Sequence, residues 1–281
     1  MPYANRSGQM PLRFAASVVA TAVVLAACGT AAGTSAPSVP TGVASPSAAV
    51  VAGSAPAGAG SPVPVDMSLP PYAPVIDPAD FGSEVTNQYF PLKPGTTFMV
   101  DGTRDGVQRH DEMTVTKETK TIMGVPCVVV RDVATSQTAL VEKTTDWYAQ
   151  DKDGNVWYFG EDTAEYTNGK VSSTAGTWLA GVDGAIPGII MKSSPAVGDG
   201  YRQEYRPGIA EDYATVLQTD ATQSTPAGDF AKVLITEDID LLDRSKNEHK
   251  SYAPGVGLVA SDGMVSGHHE VRKLTSILTA Q

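Results

Sequence analysis

The residues of this chain that could do acid–base chemistry are its 31 aspartates and glutamates, among 281 residues in all. Two carboxyl groups facing each other could hydrolyse a glycosidic bond, one as the acid and the other as the base or nucleophile. Spacing in sequence does not show the separation in space, so no pair is singled out. The motifs G-x-S-x-G, H-E-x-x-H and the P-loop do not occur in the chain. We therefore assign no catalytic residue and expect no cofactor.

The candidate metal ligands are poorly spaced. His268 and His269 are adjacent, so on a strand they point to opposite faces. The segment Asp151–Asn155 is similar to the opening of a calcium loop, which requires Gly at its sixth position and Glu at its twelfth. Val156 and Asp162 occupy those positions. A hairpin turn is the better interpretation, and we predict no metal site.

Two other motifs favour structural roles. Cys127 lies in the apolar run PCVVV, which indicates a buried, unreactive thiol. The segment 255–260 matches the dinucleotide pattern G-x-G-x-x-[GA]. It is followed by a strand-like run and not by a helix, so it predicts a turn.

The aromatic residues are clustered, with all three tryptophans within 32 residues. They could fill a β-sheet core, or they could line a cleft for an apolar ligand or a sugar. The segment Gly176–Pro195 predicts a long irregular loop that could cover such a cleft. The candidate ligand-binding residues are Trp157, Trp178, Tyr201 and Tyr205.

The elements that must position these residues are strands. Residues 139–149 and 201–206 alternate with a period of two, and Pro126–Val133 is a β-branched run typical of a buried strand. Asp-Gly and Asn-Gly pairs separate such runs and suit tight hairpins. We predict an all-β fold, an antiparallel sheet rolled into a sandwich or partly open barrel, as a single domain over 81–281.

Charge excludes two classes of partner. The formal net charge is −11, which argues against nucleic acid and against docking on anionic lipid through a basic patch. No run of 18 apolar residues occurs, so we expect no conventional membrane span.

The N-terminal residues predict export. Arg6 and Arg13 precede the uncharged segment 14–27, which has the length of a signal-peptide core. Its end, Leu-Ala-Ala followed by Cys28, resembles the bacterial lipobox. The resemblance implies that the signal peptide 1–27 is removed and that Cys28 receives a diacylglycerol and an acyl chain such as palmitate. The protein would then be anchored by lipid to the outer face of the cell membrane.

Residues 28–80 predict a disordered tether. From Gly29 to Pro64 every residue is Gly, Ala, Ser, Thr, Pro or Val, which leaves little apolar surface to bury. The segment 66–80 is Pro-rich, and Asp77-Pro78 could start a short helix, because Asp caps helices and Pro suits their first position.

Several segments carry a family resemblance. DWYAQDKDGNVWYFGED over Asp146–Asp162, together with DGAIPGIIM, GDGYRQEY, TPAGDF and YAPGVGLV, resembles a family of bacterial lipoproteins and secreted β-rich proteins of unknown function. The ending TPAGDF…YAPGVGLV is similar to that of the TapB group. The likeness covers about residues 90–260. It implies hairpin turns and strand edges and transfers no catalytic residue.

These observations together predict a lipid-anchored extracytoplasmic protein with a non-catalytic binding or structural role. Its partners would be the membrane, through Cys28, and an apolar or envelope ligand. The alternative is a hydrolase of envelope polysaccharide that uses paired carboxylates.

Replacing Cys28 by Ser should leave the protein without lipid, either released or retained as the precursor, because the sequence shows no other anchor. Partitioning into a detergent phase measures this directly. A Cys28→Ser variant that partitions like wild type would exclude the lipobox interpretation.

Overall fold

The computed structural model describes Leu69, residues 71–265 and residues 267–279. These described residues belong to one compact unit. The predicted signal peptide 1–27, Cys28 and the tether up to residue 68 lie outside the described residues. Within the described part, no helix is long and apolar enough to cross a membrane.

Strands make up most of the described chain. In chain order they are β1 Thr96–Arg104, β2 Val107–Ile122, β3 Val125–Ser136, β4 Ala139–Gln150, β5 Val156–Thr167, β6 Lys170–Ser173, β7 Trp178–Leu179, β8 Ile186–Met191, β9 Gly200–Arg202, β10 Glu204–Tyr205, β11 Asp212–Thr225, β12 Gly228–Asp240, β13 Asn247–Ala253, β14 Gly257–Val265 and β15 His268–Thr279. The only helical turn among the described residues is the 3-10 turn Pro78–Asp80. The Asp77 carboxylate accepts a hydrogen bond from the Ala79 N–H at 3.0 Å, so the predicted cap is confirmed.

All fifteen strands form one antiparallel sheet. The order along its main path is β10-β8-β5-β4-β3-β2-β1-β15-β14-β13-β12-β11-β9. The two end strands of this path, β9 and β10, are separated in sequence only by Gln203, whose N–H donates to the Asp212 carbonyl at 2.8 Å. One short segment therefore joins both edges and nearly closes the sheet into a barrel. The all-β prediction, with a rolled antiparallel sheet, is confirmed.

Turn residues set the hairpin register. Asp105 and Gly106 join β1 to β2 with φ of 49° and 79°, and Asn168 and Gly169 join β5 to β6 with φ of 54° and 73°. Two successive positive φ angles define the type I′ turn, whose twist matches that of paired strands. The Asp105-Gly106 and Asn168-Gly169 signals of the sequence correspond to these turns. Asp153-Gly154 does not form the predicted two-residue hairpin, because it lies in the five-residue connection between β4 and β5, where only Gly154 has a positive φ.

The interior of the sheet changes from apolar to charged along the strands. Val85 and Leu92, from the chain before β1, pack into the apolar end with the buried core. Towards the other end the inward side chains become ionisable. From the apolar to the charged end they are Val115, Met113 and Asp111 on β2, Val128, Val130 and Asp132 on β3, Tyr252, Lys250 and Glu248 on β13, and Leu274, Arg272 and Glu270 on β15.

The predicted irregular loop over Gly176–Pro195 is wrong for much of its length. Trp178–Leu179 and Ile186–Met191 are strands that pair with β5. Trp178 is 1% exposed and meets Tyr158 edge-on with ring centroids 5.4 Å apart. A Cβ at Gly160 would lie 2.4 Å from the Trp178 carbonyl oxygen, so this close strand approach requires glycine. Trp178, Ala180 and Ala185, in the segment that could have covered a cleft, belong to a buried core instead.

Replacing Trp178 by Ala should lower the free energy of unfolding by about 3–5 kcal/mol, because a large buried side chain leaves a cavity. Val182→Ala in the same segment is the control, since Val182 is 47% exposed. Urea melts of both variants provide the measurement. A loss below about 1 kcal/mol for Trp178→Ala would contradict the core assignment.

Candidate functional site: a charged cavity inside the sheet

A cavity of about 330 Å³ lies inside the sheet, between its apolar and charged ends. Its wall combines aromatic rings, four carboxyl groups and two bases. These are Phe90, Tyr148, Tyr252, Asp132, Glu142, Asp146, Glu161, Lys250 and Arg272. A smaller cavity of about 50 Å³ shares part of the wall and is also lined by Asp111.

Strand register brings the carboxyl groups together. Asp146 on β4 lies opposite Glu161 on β5, and Asp132 on β3 lies opposite Thr144 on β4. Residues opposite each other in an antiparallel pair project from the same face. Glu142 lies two residues before Thr144 on β4, and its Oε1 accepts a hydrogen bond from the Thr144 hydroxyl at 3.1 Å. Three neighbouring strands thus place four acids on one part of the wall.

The two bases of the cavity are bound to carboxylates on β12, β13 and β15. The Arg272 guanidinium lies 3.0 Å from Glu248 and 3.2 Å from Glu270. The Lys250 ammonium lies 2.9 Å from Asp238 and 3.6 Å from Glu248. Burial by itself would raise the pKa of Glu248, but the charges of Lys250 and Arg272 outweigh it and hold that pKa at about 2. This side of the wall is an ion-pair network.

The four acids opposite have no such partners. Burial raises the pKa of Asp132 to about 8, and repulsion by Asp111 and Asp146 adds to the effect. Burial likewise raises the pKa of Asp146 to about 7, although the Tyr158 hydroxyl donates a hydrogen bond to it and lowers that pKa. Burial also raises the pKa of Glu161, with repulsion by Asp146 in the same direction. Desolvation is the largest cause for all three, and for Asp132 it outweighs the lowering effect of the Arg272 charge.

Two carboxylate oxygens at this wall are buried without a hydrogen bond. They are Oδ1 of Asp132 and Oδ1 of Asp111, and neither has a partner among the described residues. Asp111 is 5% exposed. A buried polar atom without a partner costs free energy, and such atoms are rare in native proteins. They mark the part of the wall where the protein's own groups leave an acceptor unused.

The four residues predicted to bind a ligand do not meet at one site. Trp157 packs edge-on against Phe81, with centroids 6.2 Å apart, and its Nε1 donates to Asp151 at 2.8 Å. Trp178 lies in the core described above. Neither side chain is among those lining the charged cavity.

Tyr201 and Tyr205 lie near the segment that joins the sheet edges. Tyr201 lines a separate pocket of about 300 Å³ with Tyr72 and Tyr213. Tyr205 packs edge-on against Tyr72 with centroids 5.5 Å apart, and the Arg202 guanidinium lies 4.6 Å from the Tyr205 centroid. Their role in binding stays a prediction.

The Asp151 segment is a hairpin turn, as predicted. The Asp151 carboxylate accepts hydrogen bonds from the backbone N–H groups of Asp153 and Asn155 at 3.0 and 2.8 Å. It also accepts one from Asn155 Nδ2 at 2.9 Å. Within the described ranges, no group of three or more His, Cys, Asp or Glu side chains is placed to hold a metal ion. Cys127 is buried, as predicted, and desolvation raises the pKa of its thiol to about 12.

The cavity acids were missed in the sequence because alternation identifies a strand but not which face points inward. On β4 one face carries Glu142, Thr144, Asp146 and Tyr148, and the other carries Val141, Lys143, Thr145 and Trp147. Polar faces ordinarily meet solvent. The one available signal was that neither face of β4 is clearly apolar.

Comparison with known proteins gives a likeness in fold only. No protein-family model matches the chain, so the resemblance to the TapB group is not confirmed. No curated protein matches it either. A solved structure from Bacteroides fragilis, described as an exported protein with a YmcC-like fold, is 15% identical, with a TM-score of 0.40 over 69% of this chain and 100% of its own. A lipoprotein structure from Parabacteroides distasonis is 14% identical, with a TM-score of 0.37 over 68% of this chain and 99% of its own.

Replacing Asp132 by Asn should reduce the loss of stability on raising the pH from 5.5 to 8. The folded protein holds a proton on Asp132 up to about pH 8, whereas the unfolded chain releases it near 3.8. Raising the pH between these values therefore favours unfolding, by at most about 1.4 kcal/mol per pH unit for this group. Glu248 adds no slope here, because it is ionised in both states.

Urea melts across this pH range measure the effect. Glu118→Gln is the matched control, since the Glu118 side chain is 60% exposed. If the Asp132→Asn variant kept the full slope of wild type, Asp132 would not be the group that holds the proton.

Proposed function

We propose that this chain is a lipid-anchored binding protein of the cell envelope that takes up a small ligand inside its rolled sheet and does not transform it. The observation that carries the proposal is the interior cavity of about 330 Å³ with a charged and aromatic wall. Ligand sites are concave, largely preformed, and contain a few converging polar groups. The space between the strands has these properties.

The dimensions and chemistry of the cavity favour a small polar ligand. Sites for small molecules usually occupy about 300–1,000 Å³, and this cavity lies at the lower end of that range. Four unpaired acids on its wall weigh against an apolar ligand, because an apolar molecule would strip water from them without replacing it. We therefore expect a small polar ligand, and not the apolar ligand that the sequence analysis favoured.

The proposed location rests on the N-terminal sequence. Lipid on Cys28 would hold the chain at the membrane, since each buried methylene contributes about 0.8 kcal/mol. The segment from Gly29 to Pro64 would then let the folded unit stand on the order of 30–40 Å from the surface. The binding unit would face the extracytoplasmic space.

A hydrolase that uses paired carboxylates is the second candidate. Asp146 and Glu161 lie opposite each other on β4 and β5, in the same cavity, and the pKa of each is raised. A raised pKa keeps a carboxyl protonated, as a general acid requires. Against this, a polysaccharide needs an extended groove, and the cavity accommodates only a short fragment.

Filling the cavity should abolish ligand binding. Leu258→Trp adds a large ring at a residue that lines both interior cavities, whereas Leu278→Trp makes the same change at a side chain that is 54% exposed. We expect thermal shifts with members of a panel of monosaccharides, amino acids, organic amines and short fatty acids for wild type and Leu278→Trp, and at least a tenfold weaker response for Leu258→Trp.

Two outcomes would contradict this proposal. Equal responses in both Trp variants would place the ligand outside the cavity. Release of reducing ends from cell-wall polysaccharide, lost in Glu161→Gln, would favour the hydrolase.

A further inference from the structure

We propose that the ligand of this cavity is a small organic cation, held between the carboxylates of Asp132, Asp146 and Glu161 and the aromatic wall. This inference rests on the function proposed above and adds the chemical class of the ligand. It follows from the charge balance of the wall, from the unused acceptors, from the aromatic rings and from the cavity volume.

The charge balance leaves an unmet demand for positive charge. Lys250 and Arg272 are the basic residues of the cavity wall, and both are engaged by Asp238, Glu248 and Glu270. The four acids opposite form no ion pair with a Lys, Arg or His among the described residues; they are Asp132, Glu142, Asp146 and Glu161. Buried carboxyl groups are ordinarily paired with a cation. A cationic ligand would provide the ion-pair partner that these four carboxyl groups lack.

The unused acceptors point to the same ligand independently. Asp132 lines both cavities, and its Oδ1 is buried and accepts no hydrogen bond from any described residue. The same holds for Oδ1 of Asp111, which lines the smaller cavity. An ammonium group, or the positive methyl groups of a quaternary amine, would give the Asp132 oxygen a partner. An anionic ligand would instead add repulsion to the ionised carboxylates, and a neutral one would leave them either protonated or without a counter-charge.

Aromatic faces complete the cation site. Tyr148 and Phe90 both line the cavity, with their ring centroids 5.2 Å apart. Tyr148 is held in place by stacking on Tyr158 at 4.7 Å. Cations are attracted to the faces of such rings, most strongly where water is excluded. Aromatic rings beside carboxylates are the combination that binds amines and quaternary ammonium groups.

The volume favours an organic cation over a metal ion. A single metal ion would leave most of the 330 Å³ cavity without contacts. Within the described ranges the acids are also not grouped as metal ligands. A molecule of five to ten heavy atoms with one or two positive charges fits both the space and the charge.

The test compares cations with neutral molecules of the same shape. Choline and 3,3-dimethylbutan-1-ol differ by a charged nitrogen in place of a carbon, and 1,4-diaminobutane and 1,4-butanediol form a second pair. Each is titrated calorimetrically at pH 8 into the protein as it is isolated from the membrane in nonionic detergent. We expect at least one cation to bind ten times or more tightly than its neutral counterpart.

Variants locate the site. Asp132→Asn and Glu161→Gln should each weaken binding of that cation at least tenfold, whereas Glu118→Gln, at an exposed side chain, should leave it unchanged. Thermal melts identify any variant that fails to fold. Because Asp132 and Glu161 lie on different strands, one variant still tests the site if the other does not fold. Unchanged affinity in both folded variants would overturn the inference.

The outcomes separate this inference from the function on which it rests. If a neutral molecule of the panel binds, Leu258→Trp removes that binding, and neither cation binds, the cavity is a ligand site but not one for cations. If no member of the panel binds to wild type, the proposed function fails, and this inference fails with it.

Discussion

Buried ion pairs are the interaction on which this structure depends. A sheet path of thirteen strands encloses more space than about eight strands, whose interior side chains can fill completely. The apolar residues fill one end, and the remaining interior is occupied by charges. The guanidinium of Arg272 lies among Asp111, Glu248 and Glu270 and so joins β2, β13 and β15 across the interior. Removing one member of such a group leaves another buried charge uncompensated, which is strongly unfavourable.

Closure of the sheet depends on the short segment that carries β9 and β10, and not on the ion pairs. The segment that carries β9 and β10 pairs with β11 through its first part and with β8 through its second. Gly188 on β8 makes this crossing feasible, because a Cβ there would lie 2.3 Å from the Gln203 carbonyl oxygen. The same crossing buries Glu204, whose pKa is raised well above its usual value by desolvation and by repulsion from Asp212. Acidic residues therefore also occupy the place where the β9–β10 segment joins the two edges of the sheet.

The sequence predicts the strands well and the interior poorly, for physical reasons. Asp105-Gly106 and Asn168-Gly169 locate hairpins because their backbone angles suit few other residues. The run Pro126–Val133 identifies β3 because β-branched residues fit strands. The cavity acids escape prediction, since alternation alone leaves undecided which face of β4 points inward. The sequence leaves open whether Trp178 lies in the core or lines a cleft for a similar reason: whether an aromatic residue is exposed depends on pairing with β5, which sequence spacing does not show.

The two sides of the cavity wall explain how unpaired acids persist inside a folded protein. Desolvated carboxyl groups such as Asp132 and Asp146 weaken the fold at neutral pH, because they must either ionise without a partner or bind a proton. The apolar end of the interior provides compensating stability through buried apolar surface. A protein selected for stability alone would replace those acids by apolar residues. Titratable groups with strongly perturbed pKa values concentrate at functional sites, and three of them, Asp132, Asp146 and Glu161, lie on one side of one cavity. The asymmetry of the wall is therefore better explained by a ligand than by folding.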